Sequence, residues 1–219
     1  MATRSLDFRY LIVLITIALL ASCLGVQMET KFNADGSGTM VMKMTVSRAV
    51  LEMGEGDDAA LDIPLSKDEI EDQFSDIDGI TVVAVTEEET EENIIITSIV
   101  DFEDFATLLE TDDSPLETAT LTKKGGSTTY AMTVGEAKQA ALSGDAGDAV
   151  GGEEVDEAML GMIAAFLEGY NMEYRVTAPK QISRYTHGEL SADGRTVSLI
   201  LPMAEYFMLE KPYQFEVEW

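Results

Sequence analysis

Apolar and polar residues alternate with a period of two over much of this chain, and that alternation is the signature of half-buried strands. Val26, Met28, Thr30 and Phe32 alternate with Gln27, Glu29 and Lys31. The chain then turns through Asn33-Ala34-Asp35-Gly36-Ser37-Gly38, and Met40, Met42, Met44 and Val46 alternate with Val41, Lys43 and Thr45. Two alternating runs about an Asp-Gly turn predict a hairpin. A second hairpin is predicted from strands at Ile80–Thr86 and Asn93–Phe102, joined by an acidic turn at Glu87–Glu92; the later strand is strongly β-branched. Two more strands, near Thr118–Thr122 and Thr128–Val134, flank Lys123-Lys124-Gly125-Gly126. The C-terminal third predicts strands at Met172–Thr177, at Glu189–Ser191 paired across Asp193-Gly194 with Thr196–Leu201, and at Pro212–Trp219.

Three stretches read as helical. Ser47 to Glu52 predicts a short helix running into an acidic loop at Gly54–Asp58. Ser66-Lys67-Asp68-Glu69 is a capping box that opens a helix through Ile70 and Phe74, closed by Asp78-Gly79. Glu103 to Leu109 predicts a short helix or turn. Residues 135–154 are dominated by Gly, Ala, Asp and Glu and read as a flexible insertion. A helix is expected after it, from Val155 to Gly169, with Met159, Met162, Ile163, Phe166 and Tyr170 on one face. Leu160, Ala164, Ala165 and Leu167 widen that face. Hairpins interrupted by single helices predict an α+β domain: a twisted antiparallel β-sheet with a few helices packed on one face. The tetrads Asn33-Ala34-Asp35-Gly36 and Ser191-Ala192-Asp193-Gly194 look alike, which is read as shared turn chemistry rather than a duplicated unit.

The first 22 residues follow a different grammar. Arg4 and Arg9 form a positive n-region and Leu11–Leu20 an apolar h-region of signal-peptide length. The segment closes on Leu20-Ala21-Ser22-Cys23, a leucine, two small residues and a cysteine, which is the pattern of a bacterial lipoprotein signal. A spanning helix needs roughly 20 apolar residues; Tyr10–Val26 is shorter and is interrupted by Ser22 and Gly25. The expectation is cleavage before Cys23, acylation of its thiol, and a mature domain of residues 23–219. One acyl chain holds only marginally, at about 0.8 kcal/mol per buried methylene, so a diacylglyceryl thioether gives the stable anchor. This places the domain in the cell envelope, on the outer side of the cytoplasmic membrane or on an outer membrane.

Charge narrows the partners. The chain has 14 basic and 41 acidic residues, a formal net charge of −27. No basic stripe exists to neutralise phosphates, so nucleic acid is excluded. Anionic headgroups repel such a surface, so the anchor is expected to do the holding while the domain stands off the membrane. A hydrophobic fraction of 46% is that of a globular chain, with enough length for a core. Cys23 is the only cysteine, so no internal disulfide can form.

No catalytic constellation is visible. His187 is the single histidine and precedes Gly188 in a turn. With Cys23 committed to the anchor, thiol chemistry and thiolate metal sites are excluded. Many carboxylates guarantee chance pairs, but a glycosidase needs a separation that sequence does not show. Met40-x-Met42-x-Met44 puts three thioethers on one strand face, a soft set suited to Cu(I); the stronger reading is an adaptable core filler. Asp145-x-Gly147-Asp148 lacks the spacing of a calcium loop. No metal and no cofactor is therefore expected. The apolar face of Met159, Met162, Ile163, Phe166 and Tyr170 is read as either a helix packed on the sheet or a lid or docking surface.

Both ends of the mature chain resemble the LppM-type bacterial lipoproteins. At the N-terminal end the likeness is the lipobox, a strand, Asp35-Gly36-Ser37-Gly38 and an alternating strand. At the other end it is Tyr174–Pro179 followed by Thr186-His187-Gly188-Glu189 through Val197, with His187 where that family's pattern has asparagine. Gly79-Ile80-Thr81-Val82 and Asp101–Phe105 also fit. The resemblance implies a non-enzymatic, envelope-attached protein linked to lipid or host-surface recognition. The expectation is a lipid-anchored, non-catalytic protein that binds lipid, glycolipid or a partner protein through apolar surface, the motivating residues being the helix face and Met28, Met40, Met42 and Met44. The alternatives are a structural or assembly lipoprotein with no small ligand and, behind it, a carboxylate-dependent hydrolase.

Overall fold

The first hairpin forms in the register the alternation predicts. A computed structural model describes residues 24–48, 67–75, 77–109, 119–135, 169–209 and 211–219. In it β1 (Leu24–Phe32) pairs antiparallel with β2 (Gly38–Ser47), setting Thr30 opposite Met40, Met28 opposite Met42 and Val26 opposite Met44. The even-numbered residues face inward, and Met28, Thr30, Phe32, Met40, Met42, Met44 and Val46 are all buried. In the turn, Gly36 holds a φ of 105°, a conformation that only glycine adopts without strain.

Helix α1 (Lys67–Ser75) buries Ile70 and Phe74, one turn apart on one face. It packs on β3 (Ile80–Glu89), which pairs antiparallel with β4 (Asn93–Phe102) through a bulge between Val82 and Ala84. β3 runs three residues past the expected Thr86, because Glu87, Glu88 and Glu89 continue the ladder opposite Ile96, Ile95 and Ile94. The acidic turn therefore narrows to Thr90–Glu92, closed by the Thr90 amide donating to the Asn93 carbonyl at 2.8 Å. Charge does not end this strand because β3 lies at the sheet edge, where its carboxylates stay in water.

A 3₁₀ helix at Phe105–Leu109 follows and buries Phe105 and Leu108. β5 (Thr120–Lys124) and β6 (Ser127–Val134) form the next hairpin, with Lys123 and Lys124 inside β5 and only Gly125-Gly126 turning. The chain continues through β7 (Asn171–Thr177), β8 (Arg184–Tyr185), β9 (Glu189–Leu190), β10 (Thr196–Pro202), helix α2 (Met203–Met208) and β11 (Tyr213–Glu218). β8 and α2 are not anticipated from the sequence. Elements of two and six residues are too short for a period to show.

Two sheets result. The larger has the order β3-β4-β2-β1-β7-β10-β9, the smaller β5-β6-β11-β8. The α+β class is as expected. The larger sheet is mixed rather than wholly antiparallel, since β1 and β7 run parallel, with Val26 beside Met172 and Thr30 beside Val176. A parallel pair needs a long crossover, and more than a hundred residues separate these two strands in the chain. The smaller sheet is antiparallel throughout.

The inward faces of both sheets share one core. Phe32 sits in it with ring centroids 5.9 Å from Phe102, 5.4 Å from Phe105, 5.9 Å from Tyr130 and 5.2 Å from Trp219. Tyr130 and Trp219 come from the smaller sheet or its end, so this cluster joins the layers. The pairs with Phe102 and Phe105 are edge-on, an arrangement that contributes about 0.5–1.5 kcal/mol each beyond the area buried.

Candidate functional site

Of the residues singled out in the sequence as a possible apolar surface, Tyr170 falls among those described; Met159, Met162, Ile163 and Phe166 lie outside them, as does Cys23. Tyr170 stands just ahead of β7, and its ring lies on Gly25 near the head of β1. The ring Cδ1 is 3.2 Å from the point a β-carbon on Gly25 would occupy, and the Thr45 Cβ is 3.8 Å from the same point. The Tyr170 carbonyl accepts the Met203 amide at 2.8 Å, which ties the start of α2 to the start of β7. Tyr170 thus stands beside the start of β1.

The methionine row has a different fate. Met28, Met40, Met42 and Met44 are only 4%, 2%, 6% and 7% exposed, and they pack in the core. They offer no surface to a partner, which corrects the expectation that this face takes part in binding. These methionines belong to a core that includes residues of both sheets, which could not be inferred from the hairpin alone. The same burial answers the copper reading in favour of core packing, and among the described residues no cluster of histidine, cysteine or acidic side chains could hold a metal.

On the outer face of the larger sheet, a shallow cleft of about 130 Å³ is lined by Gln27, Glu29, Lys43, Thr97, Glu173 and Arg175. Arg175 ties its two carboxylates together. Arg175 donates through Nη2 to Glu173 at 2.6 Å, through Nη1 to Glu29 at 3.3 Å and through Nε to the Ser198 hydroxyl at 3.3 Å. Both carboxylates are thereby engaged with a guanidinium, which suits a fixed ion-paired surface more than a proton-transferring pair. A second hollow, about 420 Å³, lies between the 3₁₀ helix and β5, beside Asp104, Phe105, Leu109, Thr120, Leu121 and Lys123.

The remaining polar features are structural. His187 is exposed, its ring 4.5 Å from that of Tyr213. Tyr130 and Tyr174 are pushed well above the ordinary phenol value by burial, and their hydroxyls donate to the sulfurs of Met132 and Met172. Asp35 and Asp193 are held below the ordinary carboxylate range in matching turns. Asp35 Oδ1 accepts the Ser37 hydroxyl at 2.8 Å and the Ser37 amide at 3.1 Å; Asp193 Oδ1 accepts the Ser191 hydroxyl at 2.5 Å and the Arg195 amide at 3.1 Å. The likeness of the two tetrads is turn chemistry, each aspartate stapling its own reversal.

No protein-family model matches the chain, and comparison with curated proteins finds no match. Among solved structures, the chain is similar to the NMR structure of the Mycobacterium tuberculosis LppM folded domain, at 10% sequence identity over 90% of each chain, with a TM-score of 0.49. That degree of likeness decides neither activity nor ligand.

Proposed function

We propose that this is a lipid-anchored domain of the cell envelope, without catalysis of its own, that binds lipid, glycolipid or a neighbouring protein through the apolar bank of Met159, Met162, Ile163, Phe166 and Tyr170. The observation that carries the reading is the contact of Tyr170 with Gly25. Gly25 is two residues from Cys23, the cysteine of the lipobox Leu20-Ala21-Ser22-Cys23. The Tyr170 ring therefore contacts a residue two positions along the chain from the proposed acylation site. With the methionine row inside the core, this bank is the apolar candidate that remains from the sequence.

Two experiments test the reading. Growth in labelled fatty acid should label the wild-type protein and leave Cys23→Ala unlabelled. Native mass spectrometry of the protein purified from its own host should show a co-purifying lipid, lost when Met162 and Phe166 are replaced by aspartate in a still-folded chain. An empty protein that also ignores envelope lipid extracts would defeat the lipid reading and leave the protein partner. The second reading, an assembly lipoprotein with no small ligand, is favoured by the filled core around Phe32, in which side chains of both sheets meet.

A further inference from the structure

β1 begins at Leu24, one peptide unit after Cys23, and adjacent α-carbons are 3.8 Å apart. No linker separates the acylated residue from a strand that lies fourth of seven in the larger sheet. An anchor joined this closely fixes more than location. It holds one end of the sheet at the bilayer surface, because the strand is stiff and hydrogen-bonded on both sides from its first residues.

We propose that the end of the sheet at which β1 starts rests against the lipid headgroups, and that the turns at Asp35 and Asp193 point away from the membrane. This rests on the reading that Cys23 is acylated. The pairing registers identify the residues at each end. Leu24 lies opposite Val46, Ser47 opposite Asn93, and Val26 beside Met172, so Arg48, Thr90, Tyr170 and Asn171 share the anchored end. Met203, bonded to the Tyr170 carbonyl, brings α2 to the same end. Phe32, Thr177 and Thr196 mark the other end, about 27 Å away for a nine-residue strand.

The chemistry of the anchored end suits neutral headgroups. Tyr170 supplies an amphipathic ring of the kind enriched at membrane–water interfaces. Glu89, Glu91 and Glu92 lie at the same end on the β3–β4 hairpin, three strands from β1, or about 14 Å to one side. An anionic leaflet would repel that corner. The domain is thus seated on the bilayer by its β1 end, where charge alone would have it standing off.

The single native cysteine makes the test direct. Once Cys23 is a thioether, an introduced cysteine is the only thiol in the chain. Asn171→Cys marks the anchored end and Ala34→Cys the far end, both at exposed positions. Each full-length acylated variant would be labelled with an environment-sensitive fluorophore and reconstituted in phosphatidylcholine vesicles containing a headgroup-nitroxide lipid. The expected result is quenching several-fold stronger at Asn171→Cys than at Ala34→Cys. Equal quenching, or stronger quenching at Ala34→Cys, in protein whose intact mass shows the diacylglyceryl group would overturn the orientation alone. An intact mass showing unmodified Cys23 in the membrane-derived protein would overturn both the orientation and the functional reading beneath it.

Discussion

The Tyr170 ring occupies the space that a side chain at Gly25 would need, with Cδ1 3.2 Å from the missing β-carbon. Inside a strand, replacing glycine by a larger residue ordinarily helps by restricting the unfolded chain, by about 0.4–1 kcal/mol. Here the ring reverses the sign. Gly25→Val is expected to destabilise by about 1–3 kcal/mol, as overpacking does, and to do so much less in a Tyr170→Ala background. Urea unfolding of the four members of this cycle measures the coupling; simple additivity would show that the ring does not press on Gly25.

Phe32 joins the layers through four aromatic neighbours and is 2% exposed. Phe32→Ala should cost about 3–5 kcal/mol, the usual range for truncating a buried phenylalanine. Since the rings of both sheets meet there, near-ultraviolet dichroism should fall along with the urea midpoint. A loss below about 1 kcal/mol would mean the two sheets do not share this core.

Ser98 is the opposite case. It is 1% exposed, lies opposite Met42 and Val85, and its hydroxyl has no hydrogen-bond partner. A buried hydroxyl left unpaired costs about 1–3 kcal/mol. Ser98→Ala removes that cost and leaves a void smaller than a methyl group, so the variant should be more stable by about 1 kcal/mol. A thermal midpoint below wild type would show that the hydroxyl is satisfied after all.

Asp35 and Asp193 make stability depend on acid. Each carboxylate is held below its ordinary range, first by a serine hydroxyl, Ser37 or Ser191, and then by a backbone amide. A depressed folded value means the stabilisation is fully present above the ordinary carboxylate value of about 4 and is lost as pH falls through the folded value. The advantage of wild type over Asp193→Asn should therefore be present at neutral pH and vanish in strong acid. Denaturant midpoints of the two proteins, compared across that range, measure it. A gap that stayed constant with pH would assign the effect to packing in the turn instead of charge.

Strand identity was the most legible part of this chain. The β1–β2 hairpin, the bounds of β4 at Asn93 and Phe102, and the helix carrying Ile70 and Phe74 all follow from periods and turn residues that act over a few positions. Less legible was what covers each face. Alternation shows that Met40, Met42 and Met44 share a face, but whether that face meets a ligand, a partner or another sheet depends on residues such as Tyr130 and Phe215, about ninety or more positions away. The candidate apolar face was legible as a pattern for the same local reason, whereas the contact of Tyr170 with Gly25, far away in the chain, was not.

The sequence by itself determined the local grammar: turns stapled by Asp35 and Asp193, a hairpin-rich α+β chain and a strongly acidic composition. These depend on neighbours within a few residues, where backbone geometry and side-chain period leave few alternatives. Only the tertiary structure decided that β7 joins β1 in parallel, that the methionine row is buried in a core shared by both sheets, and that Tyr170 settles on Gly25 near the start of β1. Those are contacts between residues remote in sequence. They are fixed by which apolar faces can be buried together, a competition over the whole chain that no local pattern records.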